Sequence, residues 1–133
     1  ASAKFSKIQY GINAASSGDT VSVAAGTYVE NINFGGKNIA MIGADRETTI
    51  IDGNNNAEVL IIGYYNYSDV YISGFTIQNS YGPGIYLNGE SNNVSASLEN
   101  LIVTGSKQYG LLNGKDLGNI LSTNGFTIKG DSV

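Results

Sequence analysis

Residues 70–80 read V-Y-I-S-G-F-T-I-Q-N-S, and the fold follows from how this stretch is read. Val70 and Ile72 alternate with polar neighbours, Gly74 interrupts the alternation, and Phe75 and Ile77 resume it. That pattern belongs to two short half-buried strands with a bend between them. It returns as A-S-L-E-N-L-I-V-T-G-S over 96–106 and as L-S-T-N-G-F-T-I-K-G-D over 121–131. Leu98 follows Ile72 by 26 residues, and Phe126 follows Leu101 by 25. A repeat of this length marks a unit that cannot bury its own apolar face and stacks on copies of itself. Phe75, Leu101 and Phe126 are expected to stack inside, as are Ile77, Val103 and Ile128.

Upstream, Asn38-Ile39-Ala40-Met41-Ile42-Gly43 aligns with the same unit, Ile39 with Val70, Met41 with Ile72 and Gly43 with Gly74. Unit starts at Thr20, Asn38, Asp69, Ser95 and Asn119 count about five parallel layers, a stack roughly 20–25 Å long at the usual strand spacing. The long interval from 38 to 69 predicts an insertion around residues 63–68. The triplets Ile51-Asp52-Gly53, Leu87-Asn88-Gly89 and Leu112-Asn113-Gly114 predict a shared corner at which Asx side chains form a ladder. Ahead of the strands, Phe5, Ile8, Ile12 and Ala15 fall on one stripe of a short helix, with Gly18 placed to end it in the left-handed conformation. Such a helix covers the exposed first layer of a strand stack. The chain therefore reads as one all-β domain over 1–133, a right-handed parallel β-helix of about five rungs: 1–18 the cap helix, 19–133 the rungs.

Composition limits the chemistry. Only 14% of the 133 residues are charged, against a usual ~25%, so Asn, Ser, Thr, Gly and Tyr must make the surface. Neither Cys nor His occurs, which removes disulfides, thiolate nucleophiles, Cys/His metal sites and His general bases. The net charge is −4 and the seven basic residues are scattered, so nucleic acid is not an expected partner. No apolar run approaches the ~18 residues of a membrane span. The start Ala1-Ser2-Ala3-Lys4 suits a terminus left by signal cleavage, and the low charge suits an extracellular or cell-surface protein.

The stretch I-Q-Y-G-I-N-A-A-S-S-G-D-T-V-S-V-A-A-G-T-Y-V-E-N-I over 8–32, with I-S-G-F-T-I-Q-N-S and G-I-Y-L-N-G further on, resembles right-handed parallel β-helices of the pectin-lyase type. Within that superfamily the N-terminal part is most similar to pectin methylesterases. The resemblance implies the fold; the activities found on it include lyases, hydrolases, esterases and non-catalytic surface proteins. The esterase pattern demands a Gln after an N-x-x-G turn, and Gly84 and Ile85 stand there instead. It also demands an Asp where Tyr109 stands, and a later Arg that the chain lacks. Lyases of the fold place Ca²⁺-binding carboxylates on adjacent rungs, and hydrolases pair theirs. Here Asp19, Asp52 and Asp69 read as turn residues, Glu30, Glu58 and Glu99 as solvated groups flanking strands, and Arg46 as a local surface pair.

No catalytic residue, metal site or cofactor is therefore expected. The reading is a non-catalytic module with a structural, adhesive or self-assembling role; the alternative is a carbohydrate-active lyase, esterase or hydrolase, or a fragment of one. Nine Tyr accompany no Trp, and Tyr64, Tyr65, Tyr67, Tyr71, Tyr81 and Tyr86 lie close together in the chain. Outward Tyr rings among Asn and Ser stack on sugars or meet another protein, so these six are the candidate binding residues, for polysaccharide or a protein subunit. At the other end, Phe126 and Ile128 in the last rung predict a C-terminal face buried by more polypeptide, in this chain or by end-to-end association.

Overall fold

The computed structural model describes residues 4–63, 68–88, 94–113, 119–122 and 126–129. Among them are one helix, α1 (Ile8–Ala14), and twelve strands. The strands are β1 (Thr20–Val23), β2 (Gly26–Val29), β3 (Ile32–Asn33), β4 (Ala40–Gly43), β5 (Thr49–Asp52) and β6 (Leu60–Gly63). They continue with β7 (Ser68–Gln78), β8 (Ile85–Asn88), β9 (Val94–Thr104), β10 (Leu111–Asn113), β11 (Asn119–Ser122) and β12 (Phe126–Lys129). Every described strand pair is parallel.

The pairs form three series. β1, β4, the first half of β7, the first half of β9, and β11 follow one another. β2, β5, the second halves of β7 and β9, and β12 form the second series. Because β7 and β9 run through both, these strands make one eight-stranded sheet, while β3, β6, β8 and β10 make a separate four-stranded one. The register is the one the repeat predicts: Met41 opposite Ile72, Ile72 opposite Leu98, and Phe75 opposite Leu101 opposite Phe126. Met41, Ile72, Leu98, Phe75, Leu101, Ile77 and Val103 are completely buried in one continuous core. Each such side chain contributes on the order of 1.5–3 kcal/mol of hydrophobic stabilisation.

The bend inside β7 falls at Gly74, with φ +86°. A Cβ there would meet the carbonyl of Gly43 on the strand beneath, and a Cβ on Gly43 would meet the carbonyl of Gly74. The equivalent position in β9 is Asn100, also left-handed at φ +51°. Asn tolerates that conformation better than other side-chain-bearing residues, so two different residues make the same bend.

Four expectations need correction. The insertion is at 44–48, not 63–68: β4 and β5 are separated by five residues where their partners in β7 are continuous. Asp45 closes this loop, its carboxylate accepting the Glu47 N–H at 2.8 Å and its carbonyl the Thr48 N–H at 3.1 Å. The loop folds back over the outer face of β7, where the Thr76 hydroxyl donates to the Arg46 carbonyl at 2.6 Å. Nor do Asp52, Asn88 and Asn113 share a corner. Asp52 lies in the eight-stranded sheet and the two Asn in the four-stranded one, with Asn113 opposite Leu87 rather than Asn88. An Asx-Gly pair signals a tight turn but not which turn of the layer it makes.

The helix is shorter than its stripe. It ends at Ala14 with extended backbone at Ala15, so Gly18, though at φ +95°, shapes the following turn rather than the helix end. Ile8 and Ile12 are buried and Ala15 packs at the margin, but Phe5 precedes the helix and stays 47% exposed. A seven-residue helix is too short to be stable alone, and tertiary contacts hold it at both ends. Glu30 accepts the Ile8 and Gln9 N–H groups at 2.8 and 3.0 Å. The Lys37 ammonium donates to the carbonyls of Ile12, Asn13 and Ala15 at 2.8–2.9 Å. A negative group at the N-terminus and a positive one at the C-terminus each satisfy orphan backbone groups and oppose the helix dipole. Glu30 is thus an anchor rather than the solvated group the sequence suggests. Between the two, the Gln9 side-chain amide donates to the Asn33 carbonyl and accepts from the Asn33 N–H, both at 2.8 Å. It fills the edge of β3 as a neighbouring strand would.

Candidate functional site

The candidate tyrosines separate. Tyr64, Tyr65 and Tyr67 lie outside the described residues. Tyr71 is on β7 between buried Val70 and Ile72, so strand alternation turns it outward, in the eight-stranded sheet. Its hydroxyl donates to the Glu99 carboxylate of β9 at 2.9 Å, which makes Glu99 the partner of a ring rather than a purely solvated group. Tyr86 is half-buried on β8, in the four-stranded sheet, opposite Ile61 and Leu112. Tyr81 occupies the turn between the two sheets, 59% exposed, its N–H bonded to the Asn56 carbonyl at 2.7 Å. The three described rings therefore belong to two walls and the corner between them. Closeness in sequence does not survive as one surface.

Four of the described carboxylates hold local structure. Asp19 accepts the Ser16 N–H at 2.8 Å, Glu30 anchors α1, and Asp45 closes the 44–48 loop. Arg46, half-buried, and Glu47, exposed, lie 3.9 Å apart as a surface pair, an arrangement worth little in water. Asp52 is the most engaged. One carboxylate oxygen accepts the Asn54 N–H at 2.8 Å, closing an Asx turn. The other accepts from Gln78 Nε2 and Asn79 Nδ2, both at 2.9 Å, linking the corner of one layer to the next. Partial burial pushes this carboxyl up, and the bonds from Gln78, Asn54 and Asn79 outweigh it, holding Asp52 below the usual carboxylate range. Among the described residues no group of three or more Asp or Glu converges as a metal site would require. No helix of the described residues is long and apolar enough to cross a membrane.

One surface feature has no counterpart in the sequence reading. An open cleft of about 350 Å³ lies between the segment leading into α1 and the strands β1 and β2. Lys4, Phe5, Lys7, Val21, Ser22 and Tyr28 are among its lining residues. Tyr28 is pinned by its hydroxyl, which donates to the Ala24 carbonyl at 2.7 Å, and the Lys7 ammonium lies 5.6 Å from the centre of the Tyr10 ring. Nothing periodic joins these residues, so the sequence offered no signal for them. Compared with protein-family models, with curated proteins and with solved structures, the chain matches none of them.

Proposed function

We propose that the chain winds as a right-handed parallel β-helix of about five rungs under an N-terminal helical cap. In this reading it serves as a non-catalytic structural and adhesive module outside the cell or on its surface, touching polysaccharide through outward tyrosines. The three parallel series support the winding, since each pairs a strand with its counterpart one repeat along the chain. The observation that carries the functional reading is the use made of the carboxylates. Asp19, Glu30, Asp45 and Asp52 bond to backbone amides of turns and of a helix end, and such bonds hold a carboxylate in place as a structural acceptor. The outer face offers Tyr71 and Tyr81 as amphipathic rings to stack on sugars.

Two measurements test this. Incubation with methylated and demethylated pectin, with and without Ca²⁺, should release no product above a heat-treated control. Product formation that an Asp or Glu substitution abolishes would return the chain to the enzymes. On a glycan array, Tyr71→Ala together with Tyr81→Ala should lower binding at least fivefold while shifting the thermal transition little. Undiminished binding would remove these rings from the contact.

A further inference from the structure

We propose that the open edge of β1, with the cleft beside it, is a docking slot for an extended acidic peptide that adds to the sheet as a further strand. The backbone geometry comes first. Asp19 and Val23 give their carbonyls to the N–H groups of Ala40 and Ala44 on β4. Odd-numbered residues of β1 therefore face β4, and by alternation the N–H and C=O of Thr20 and Ser22 face the opposite way. Among the described residues no strand takes that side: β1 ends its sheet, pairing with β4 alone. The helix that closes this end of the molecule bonds to β3, where Gln9 occupies the backbone of Asn33. Against β1 it packs its buried face, with Gly11 beside Val21. Ser22 remains exposed.

The cleft adds shape and charge to that edge. Phe5, Val21 and Tyr28 offer it apolar surface, and Lys4 and Lys7 line it without any Asp or Glu among the lining residues. Glu30 reaches the same helix start, but its carboxylate is bonded to the Ile8 and Gln9 amides. In a chain of net charge −4 this is a local positive site. A run of outward N–H and C=O groups, repeating every second residue about 6.6 Å apart, matches another polypeptide backbone and not a sugar. The two lysines then select acidic side chains, and the apolar lining takes the side chains on one face of the added strand. The Tyr28 hydroxyl, by holding the Ala24 carbonyl, closes the slot at its far end. This inference rests on β1 and its cleft and stands apart from the polysaccharide reading above.

The test uses the whole chain and a fluorescein-labelled seven-residue peptide of alternating Val and Thr with Asp at both ends. Fluorescence polarisation at low salt should show saturable binding, at least tenfold tighter than for the same peptide with Lys in place of Asp. A copy N-methylated at every amide, which keeps the side chains and removes the backbone donors, should also bind at least tenfold more weakly. In the protein, Lys4→Glu with Lys7→Glu should cost tenfold or more. Ser22→Pro removes only the outward N–H, leaving the bonds to β4 in place, and should cost about as much. Should Ser22→Pro lose its circular dichroism spectrum, the N-methylated peptide still reports on the same bonds. Equal binding of the Asp and Lys peptides would show that the lysines merely guard the edge against pairing. Equal binding of the N-methylated peptide, or binding of tetragalacturonate in place of the peptide, would equally overturn the proposal.

Discussion

Where β7 lies against β9, ten residue pairs on the two sides of the Gly74 bend follow one register, and the buried side chains of one strand sit over those of the next. Where α1 meets β3, nothing repeats. There Glu30, Lys37 and Gln9 each reach across twenty or more residues of sequence to backbone groups at the helix ends and at the edge of β3. The middle of the molecule is held by many equivalent apolar contacts, and its end by a few unlike polar ones. A stack can be extended by repeating a pattern, but terminating it requires contacts made once.

Phe75→Ala attacks the repetitive region where it is densest. The ring is fully buried, in register with Leu101, and its removal leaves a cavity in the core. The expected loss is about 3–5 kcal/mol, read as a lowered urea midpoint at unchanged slope. A loss under 1 kcal/mol would show that neighbouring layers slide to fill the space, and the column would then be less constrained than its register implies.

Substitutions at the end of the stack should cost less and act locally. Glu30→Ala removes the acceptor for two helix N–H groups, and Lys37→Met removes the donor for three carbonyls. Each is expected to cost about 1–2 kcal/mol. Native-state hydrogen exchange sharpens the contrast, because the α1 amides should exchange faster in both variants while β7 and β9 keep their protection. Equal acceleration in β7 would show that the end and the middle unfold as one unit.

Asp52 gives the smallest effect and a pH signature. Its folded carboxyl titrates below the usual range, so its contribution is present above the unfolded pKa and is lost as pH falls through the lower folded value. Stability should therefore decline with acid below about pH 4, and Asp52→Asn should make that part of the curve shallower by under ~1 kcal/mol. An unchanged acid limb would mean that other carboxylates set it.

The tyrosines and the acids show how far a linear reading reaches. Tyr71 is outward as alternation predicts, because its neighbours Val70 and Ile72 are buried. That it shares a layer with Tyr86 but not a face was not legible, since turning from one sheet to the other depends on the corner at Asn79 and Ser80. The position of the insertion is hidden from the sequence for a related reason. Interval length reveals that residues are added, and only pairing reveals that they leave the sheet between Gly43 and Thr49.

By itself the sequence determined the strand-dominated parallel architecture, the register of Phe75 with Leu101 and Phe126, the bend at Gly74 and the limits on chemistry set by lacking Cys and His. Those features are local or repetitive, so alternation and period carry them. Only the tertiary structure decided that Glu30 and Lys37 bracket the helix, that Gln9 stands in for a strand, that Asp52 ties one corner to the next, and that, among the described residues, β1 ends its sheet beside a basic cleft. A polar side chain takes whichever unsatisfied backbone group the folded chain brings within about 3 Å, and that choice leaves no trace in sequence spacing.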